Sequence, residues 1–197
     1  MSEDSPAEDS PAREQKIPTR AEVVGRIAHD LQDETFGTGP LAELRRLDPS
    51  GPLSAPALHR LLARHVSEAW VKHPDGLRDW ALLIHCLALA APDRLFGTDR
   101  LGKTLHDAGF GETRLANLLD ADPVEQRDRL PRAVRFLVHR GGALNGPQLA
   151  DLIMNRPDTA GYDRIRQWIA SDYYRAEHAA ARPATSDTTP TETGTTS

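Results

Sequence analysis

Residues 80–91 read Trp-Ala-Leu-Leu-Ile-His-Cys-Leu-Ala-Leu-Ala-Ala, and this stretch decides the fold. It is apolar all round a helical wheel, yet its length falls well short of the roughly 20 apolar residues that span a bilayer. A helix with no polar face has to be enclosed by other helices, so these residues read as the axis of a bundle. Cys86, the single cysteine, lies among Ile84, Leu87 and Leu89. It permits no internal disulfide and no cysteine zinc cage, and it suits a small buried hydrophobe better than a nucleophile.

Outward from this axis the apolar residues recur at helical spacing, and the β-branched alternation of strands is missing. The expected class is all-α, with about eight to nine helices. Thr19 and Glu22 form a capping box ahead of Val23, Val24, Ile27 and Leu31. Pro40 suits the first turn of a short helix carrying Leu41, Leu44 and Leu47, which Pro49 to Pro52 ends. Leu58, Leu61, Leu62, Val66 and Ala69 make a third stripe, and 72–76 is a turn. Beyond the axis, Leu101 and Leu105 mark a helix ending at Gly109, and Leu115, Leu118 and Leu119 mark another ending near Asp120. Asp122, Pro123 and Glu125 open a longer helix through Leu130, Val134 and Leu137 to Gly141. Pro147 starts the next, and the last runs from about Gly161 to Ala181 with Ile165, Trp168, Ile169 and Tyr173 inward. The Gly109–Glu112 turn suggests a division into two small helical-bundle subdomains, 21–110 and 111–183.

The chain has 197 residues and a formal charge of −5. Much of that charge lies in 1–20 and 184–197, which are rich in Ser, Thr, Pro and acid and are expected to be disordered tails; 21–183 carries only −1. The opening residues are acidic and polar where a secretory signal would be basic and then apolar, so a cytoplasmic protein with no membrane partner is expected.

Gly97-Thr-Asp-Arg-Leu-Gly102-Lys103-Thr104 fits the pattern G-x-x-x-x-G-K-[ST] of a nucleotide-binding P-loop, and taken alone would suggest a nucleotide hydrolase. The motif works only between a buried strand and the helix it feeds, and here a helix and then Ala91-Pro92-Asp93 precede it. The alternative is a capped helix beginning near Thr98. His59, His65 and His73 stand six and eight residues apart, without the paired spacing of a zinc helix. Neither a nucleophile elbow nor a distinctive carboxylate pair occurs, so no catalytic residue, metal or cofactor is expected.

The arginines cluster. On the helix after Pro123, Arg129, Arg132, Arg135 and His139 lie away from Leu130, Val134 and Leu137, a strip able to follow phosphates. Glu125 and Asp128 share that side and weaken its field, so a solvated, salt-bridged face is the competing reading. Arg45 with Arg46, and Arg164 with Arg166, are further basic points. Few aromatic residues are left over once the core is filled, which favours backbone contact over base stacking.

An ordered series of short motifs accompanies these arginines: Leu-Arg-Arg-x-x-Pro at 44–49, Leu-Leu-x-x-Cys-Leu-Ala at 82–88, Leu-Gly-Lys-Thr-Leu at 101–105 and Arg-Leu-x-x-Leu-Leu-x-Ala-Asp at 114–122. Arg132, Pro-x-Leu-Ala-x-Leu-Ile at 147–153 and Ile-Arg-x-Trp at 165–168 complete it. In this series the sequence resembles CasB, the small-subunit family of the type I-E CRISPR surveillance complex Cascade. The resemblance implies a non-catalytic two-part helical protein of antiviral defence, present as a pair of copies. Its implied partners are the guide RNA, the target and displaced DNA strands, the large subunit and the backbone subunits. Carried over by position, Arg46, Arg114 and Arg132 are the leading nucleic-acid contacts, followed by Lys103, Arg45, Arg135, Arg164 and Arg166. Their implied work is to stabilise the R-loop by neutralising phosphate, while base pairing to the guide supplies sequence specificity. A helical adaptor binding only protein is the other non-enzymatic alternative.

Overall fold

The computed structural model describes residues 17–155 and 159–182; the terminal segments expected to be disordered lie mostly outside them. Ten α-helices account for nearly all regular structure among these residues: α1 Arg20–Gln32, α2 Thr38–Arg45, α3 Pro56–His65, α4 Glu68–Lys72, α5 Gly76–Ala90, α6 Leu101–Asp107, α7 Glu112–Leu119, α8 Pro123–His139, α9 Gly146–Met154 and α10 Ala160–Ala181. A 3-10 turn, Glu34–Phe36, joins α1 to α2. The fold is all-α.

The axis is α5. From Asp79 onward every one of its residues is buried, because α2, α4, α8 and α9 all pack on it. Cys86 is fully enclosed, and burial pushes its thiol up to about 12, which keeps it protonated and inert. One polar group survives in this apolar rod. The His85 ring is 2% exposed; its Nδ1–H donates to the Leu44 carbonyl at 2.8 Å, and its Nε2 faces an Arg135 Nη2 at 3.3 Å. The ring therefore ties α5 to α2 on one side and to α8 on the other. Burial, with Arg135 close by, holds its pKa below the usual imidazole value despite the Leu44 bond.

Local signals set most boundaries. The Thr19 hydroxyl accepts from Glu22 N–H while the Glu22 carboxylate accepts from Thr19 N–H, closing the capping box at α1. The Asp122 carboxylate accepts from the amides of Val124 and Glu125, with Pro123 as the first residue of α8. Gly109 and Gly141 take positive φ just after α6 and α8, where a side chain would be strained.

Three expectations need correction. The third stripe is two helices, because Val66 is extended and Ser67 starts α4; Ala69 is then exposed, and Trp70 lies flat on Trp80 with centroids 5.9 Å apart. The helix expected near Thr98 begins at Leu101. Residues 95–97 are engaged instead with Leu144, through Gly97 N–H to the Leu144 carbonyl at 3.1 Å and Leu144 N–H to the Leu95 carbonyl at 2.8 Å. Finally, Trp168 points outward, 55% exposed. Only α6 and α9 cover α10 extensively, so the buried arc is narrow enough to hold Tyr162, Ile165, Ile169 and Tyr173 but not residue 168.

The most extensive helix pairing is α6 against α10. Gly102 makes it possible, since a Cβ there would stand 2.0 Å from the Ile169 carbonyl oxygen. Asp172, itself buried, receives Arg100 at 2.8 Å and so fastens α10 to the start of α6. The apolar cluster is continuous across the 109–111 turn, from Val23 to Tyr173.

Two outcomes follow from these contacts. Gly102→Ala should lower stability by about 2–3 kcal/mol through overpacking, read as a fall of about 5–10 °C in Tm, whereas Gly111→Ala, with open space at the Cβ, should change it little. His85 is held neutral in the folded chain while the unfolded chain takes up a proton below about pH 6.5, so its contribution is complete above that pH and is lost as pH falls toward its depressed folded value. Urea unfolding should therefore show His85→Leu less stable than the wild type at pH 7.5, with the gap closing toward pH 5; a gap independent of pH would contradict this account.

Candidate nucleic-acid interface

The basic residues are arranged around α8. Its inward face buries Leu130, Val134 and Leu137 against α5, which turns Arg132 and Arg135 outward. Between α7 and α8 runs a groove of about 470 Å³ lined by Phe110, Arg114, Asn117, Leu118, Arg129, Arg132, Ala133 and Phe136. Two of the three leading residues expected from the sequence, Arg114 and Arg132, thus meet in one place.

The Phe136 ring forms part of the groove lining. Phe110 packs edge-on against it at 5.4 Å, and the guanidinium groups of Arg114 and Arg140 stand over it, 5.5 and 5.6 Å from the centroid. These contacts hold two long side chains at fixed positions at little cost, because a guanidinium stacks on an aromatic face without losing its donors. Arg129 pairs with Glu125 at 3.0 Å and donates to the Asn117 carbonyl, joining α8 to α7. Arg132 pairs with Asp128 at 2.7 Å but stays 70% exposed. An exposed i,i+4 pair contributes only about 0.3–0.5 kcal/mol, so a phosphate can take the carboxylate's place readily. The groove and its rim then hold four arginines against two carboxylates.

A second groove lies on the other side of α8, where Arg45, Arg135 and His139 meet beside Asp93, Leu95 and Val138. Here the buried His85 ring touches the Arg135 guanidinium and also carries the end of α2 that bears Arg45.

The other candidates are separate. Arg46 is the exposed C-terminal cap of α2 and lines neither groove. Lys103 donates to Asp107 at 2.6 Å with Asp99 at 3.9 Å, and the Asp107 bond raises its pKa. Arg164 is exposed on α10. Arg166 stacks 3.5 Å over the Tyr162 ring and donates to the Ala121 carbonyl at 2.7 Å; burial lowers its pKa, and its Nε is enclosed without a hydrogen-bond partner.

Arg140, Phe136 and His85 were given no role by sequence reading. Arg140 follows His139 directly and could have been added to the strip; the Phe136 role depends on α7 folding back, which no local pattern announces. The P-loop lookalike lacks the strand its motif requires. Gly102 abuts α10, the Thr104 hydroxyl donates to the Arg100 carbonyl at 3.1 Å, and Leu101 N–H donates to Gln148 Oε1 at 2.6 Å, so the motif's second glycine faces a helix rather than a ligand and its Thr hydroxyl is engaged within the protein. Among the described residues no group of three or more His, Cys, Asp or Glu is placed to hold a metal, and no helix is long and apolar enough to cross a membrane.

No curated protein matches the chain. Among solved structures it is similar to a chain in the crystal structure of Escherichia coli Cascade bound to a PAM-containing double-stranded DNA target, at 20% identity and a TM-score of 0.59, over 79% of this chain and 96% of that one. At this identity the likeness concerns the fold. The family model of the CRISPR-associated protein Cse2 matches residues 40–174, from the first turn of α2 to α10, and so takes in both grooves around α8. With more than two thirds of its length matched, the chain belongs to the CRISPR-associated Cse2 family.

Proposed function

We propose that this protein is the non-catalytic small subunit of a type I-E Cascade complex and that it holds nucleic acid by its phosphates. The observation that carries this reading is the convergence of Arg114, Arg129, Arg132 and Arg140 on one groove of a Cse2-family chain. Four guanidinium groups around one groove, two of them over the Phe136 ring, give a local positive field in a domain whose overall charge is near neutral. Such a field neutralises phosphates and releases counterions without reading bases, and specificity then rests with guide pairing. Weak intrinsic affinity suffices for a subunit held in place by neighbours, since assembly raises its effective concentration at the strand. Arg46 and the Arg45–Arg135 groove extend the contact along α2 and α8, and the E. coli Cascade structure, which holds a DNA target, supports the assembly side of this reading.

Reversal of Arg46, Arg114 and Arg132 to Glu tests it in the reconstituted complex. The expected result is an unchanged helical circular-dichroism spectrum, retained assembly, and R-loop formation weakened by about tenfold or more, with a salt dependence shallower by about 3 in log–log slope. Wild-type target binding across the salt titration, with assembly intact, would instead identify an adaptor that binds only protein.

A further inference from the structure

The outer face of α10 is absent from the α8 grooves and carries its own pattern. Arg164, Trp168, Ser171, Arg175, His178 and Arg182 follow one another at intervals of four, three, four, three and four residues. At about 100° per residue these positions stay within roughly 40° of one line, which runs about 27 Å along the helix and its C-cap. None of them is fully buried, and Trp168 is one of the few large apolar side chains the fold leaves in solvent. No carboxylate occupies the line. The nearest, Asp172, is buried at its edge and already receives Arg100 at 2.8 Å; Arg175 reaches it only at 3.6 Å and remains 73% exposed.

We infer that this face is a second binding surface and that its occupant is a single-stranded polynucleotide. Charge complementarity selects a polyanion, because cations recur along the whole line with no acid among them. The Trp168 indole within the line selects unpaired bases, whose faces are open to stacking, over a duplex that offers mainly phosphates. The surface goes beyond the α7–α8 groove and stands without it. The two are linked through α7: Tyr174 O–H donates to Glu112 Oε1 at the start of α7, Arg166 grips Ala121 just past its end, and Arg129 of α8 donates to the Asn117 carbonyl.

Intrinsic fluorescence of the full chain tests this, because Trp80 is buried and Trp70 is partly covered by stacking on it, leaving Trp168 as the most exposed of the three emitters. At low salt, a 20-nucleotide oligo-dT or oligo-rU should quench the emission, a 20-base-pair duplex should quench it less, and Trp168→Phe should remove most of the quench. Trp168→Ala should weaken single-strand binding by about tenfold. Arg164→Gln with Arg175→Gln should reduce the log–log salt slope by about 1.4, at about 0.7 per lost contact on a single strand. Comparison of the dT and rU arms tells which kind of strand is preferred. Absence of quenching, equal quenching by duplex, or full quenching in Trp168→Phe overturns the proposal. So does loss of complex assembly in the α10 variants with strand binding intact, which would mark a protein interface. The Arg114→Glu, Arg132→Glu variant separates the two surfaces: if it loses binding while the α10 variants match the wild type, the α10 surface fails and the groove remains.

Discussion

Enclosing α5 on every side is the constraint that organises this molecule. An apolar rod with no face for water leaves its neighbours no choice of position, and α2, α4, α8 and α9 take the places around it. Because α8 spends its Leu130, Val134 and Leu137 edge on that task, its arginines are turned to solvent as a by-product of core packing. The buried His85 ring refines the arrangement. A neutral imidazole that donates to Leu44 and faces Arg135 links the rod to both helices that carry basic residues, and it does so without burying a charge.

Net charge is a poor guide to what such a surface binds. The described domain is close to neutral, yet within it Arg114, Arg129, Arg132 and Arg140 gather beside one phenylalanine. Local concentration of charge on a rigid element, rather than an excess over the chain, is what a sugar-phosphate backbone meets at contact distance. The acidic partners Glu125 and Asp128 are helix neighbours of Arg129 and Arg132, so they moderate the field in the free protein. Both pairs are exposed enough to be exchanged.

Most of the fold was legible because its signals are local. The Thr19–Glu22 box, the Asp122–Pro123 opening and the glycines after α6 and α8 each act within one turn, and the structure uses all of them. The errors share a different origin. A helix start near Thr98 is what the sequence suggests because nothing nearby shows that Leu144 captures residues 95–97, and Trp168 reads as inward because a wheel cannot say how wide an arc the partner helices cover. For the candidate groove, arginine spacing points to Arg129 and Arg132, and family resemblance adds Arg114. Their meeting with Phe136 and Arg140 required α7 to fold onto α8, a long-range fact outside any window of sequence.

Gly102 brings the α6 chain against the carbonyl of Ile169, and Asp172 locks the same pair of helices through Arg100. A helix seated backbone to backbone cannot roll about its own axis or slide by a fraction of a turn, because no flexible side chain lies between the two chains to absorb the movement. The outward row on α10 is therefore prepaid in entropy: its side chains settle from a fixed baseline, and whatever lands on them does not first have to organise the scaffold beneath.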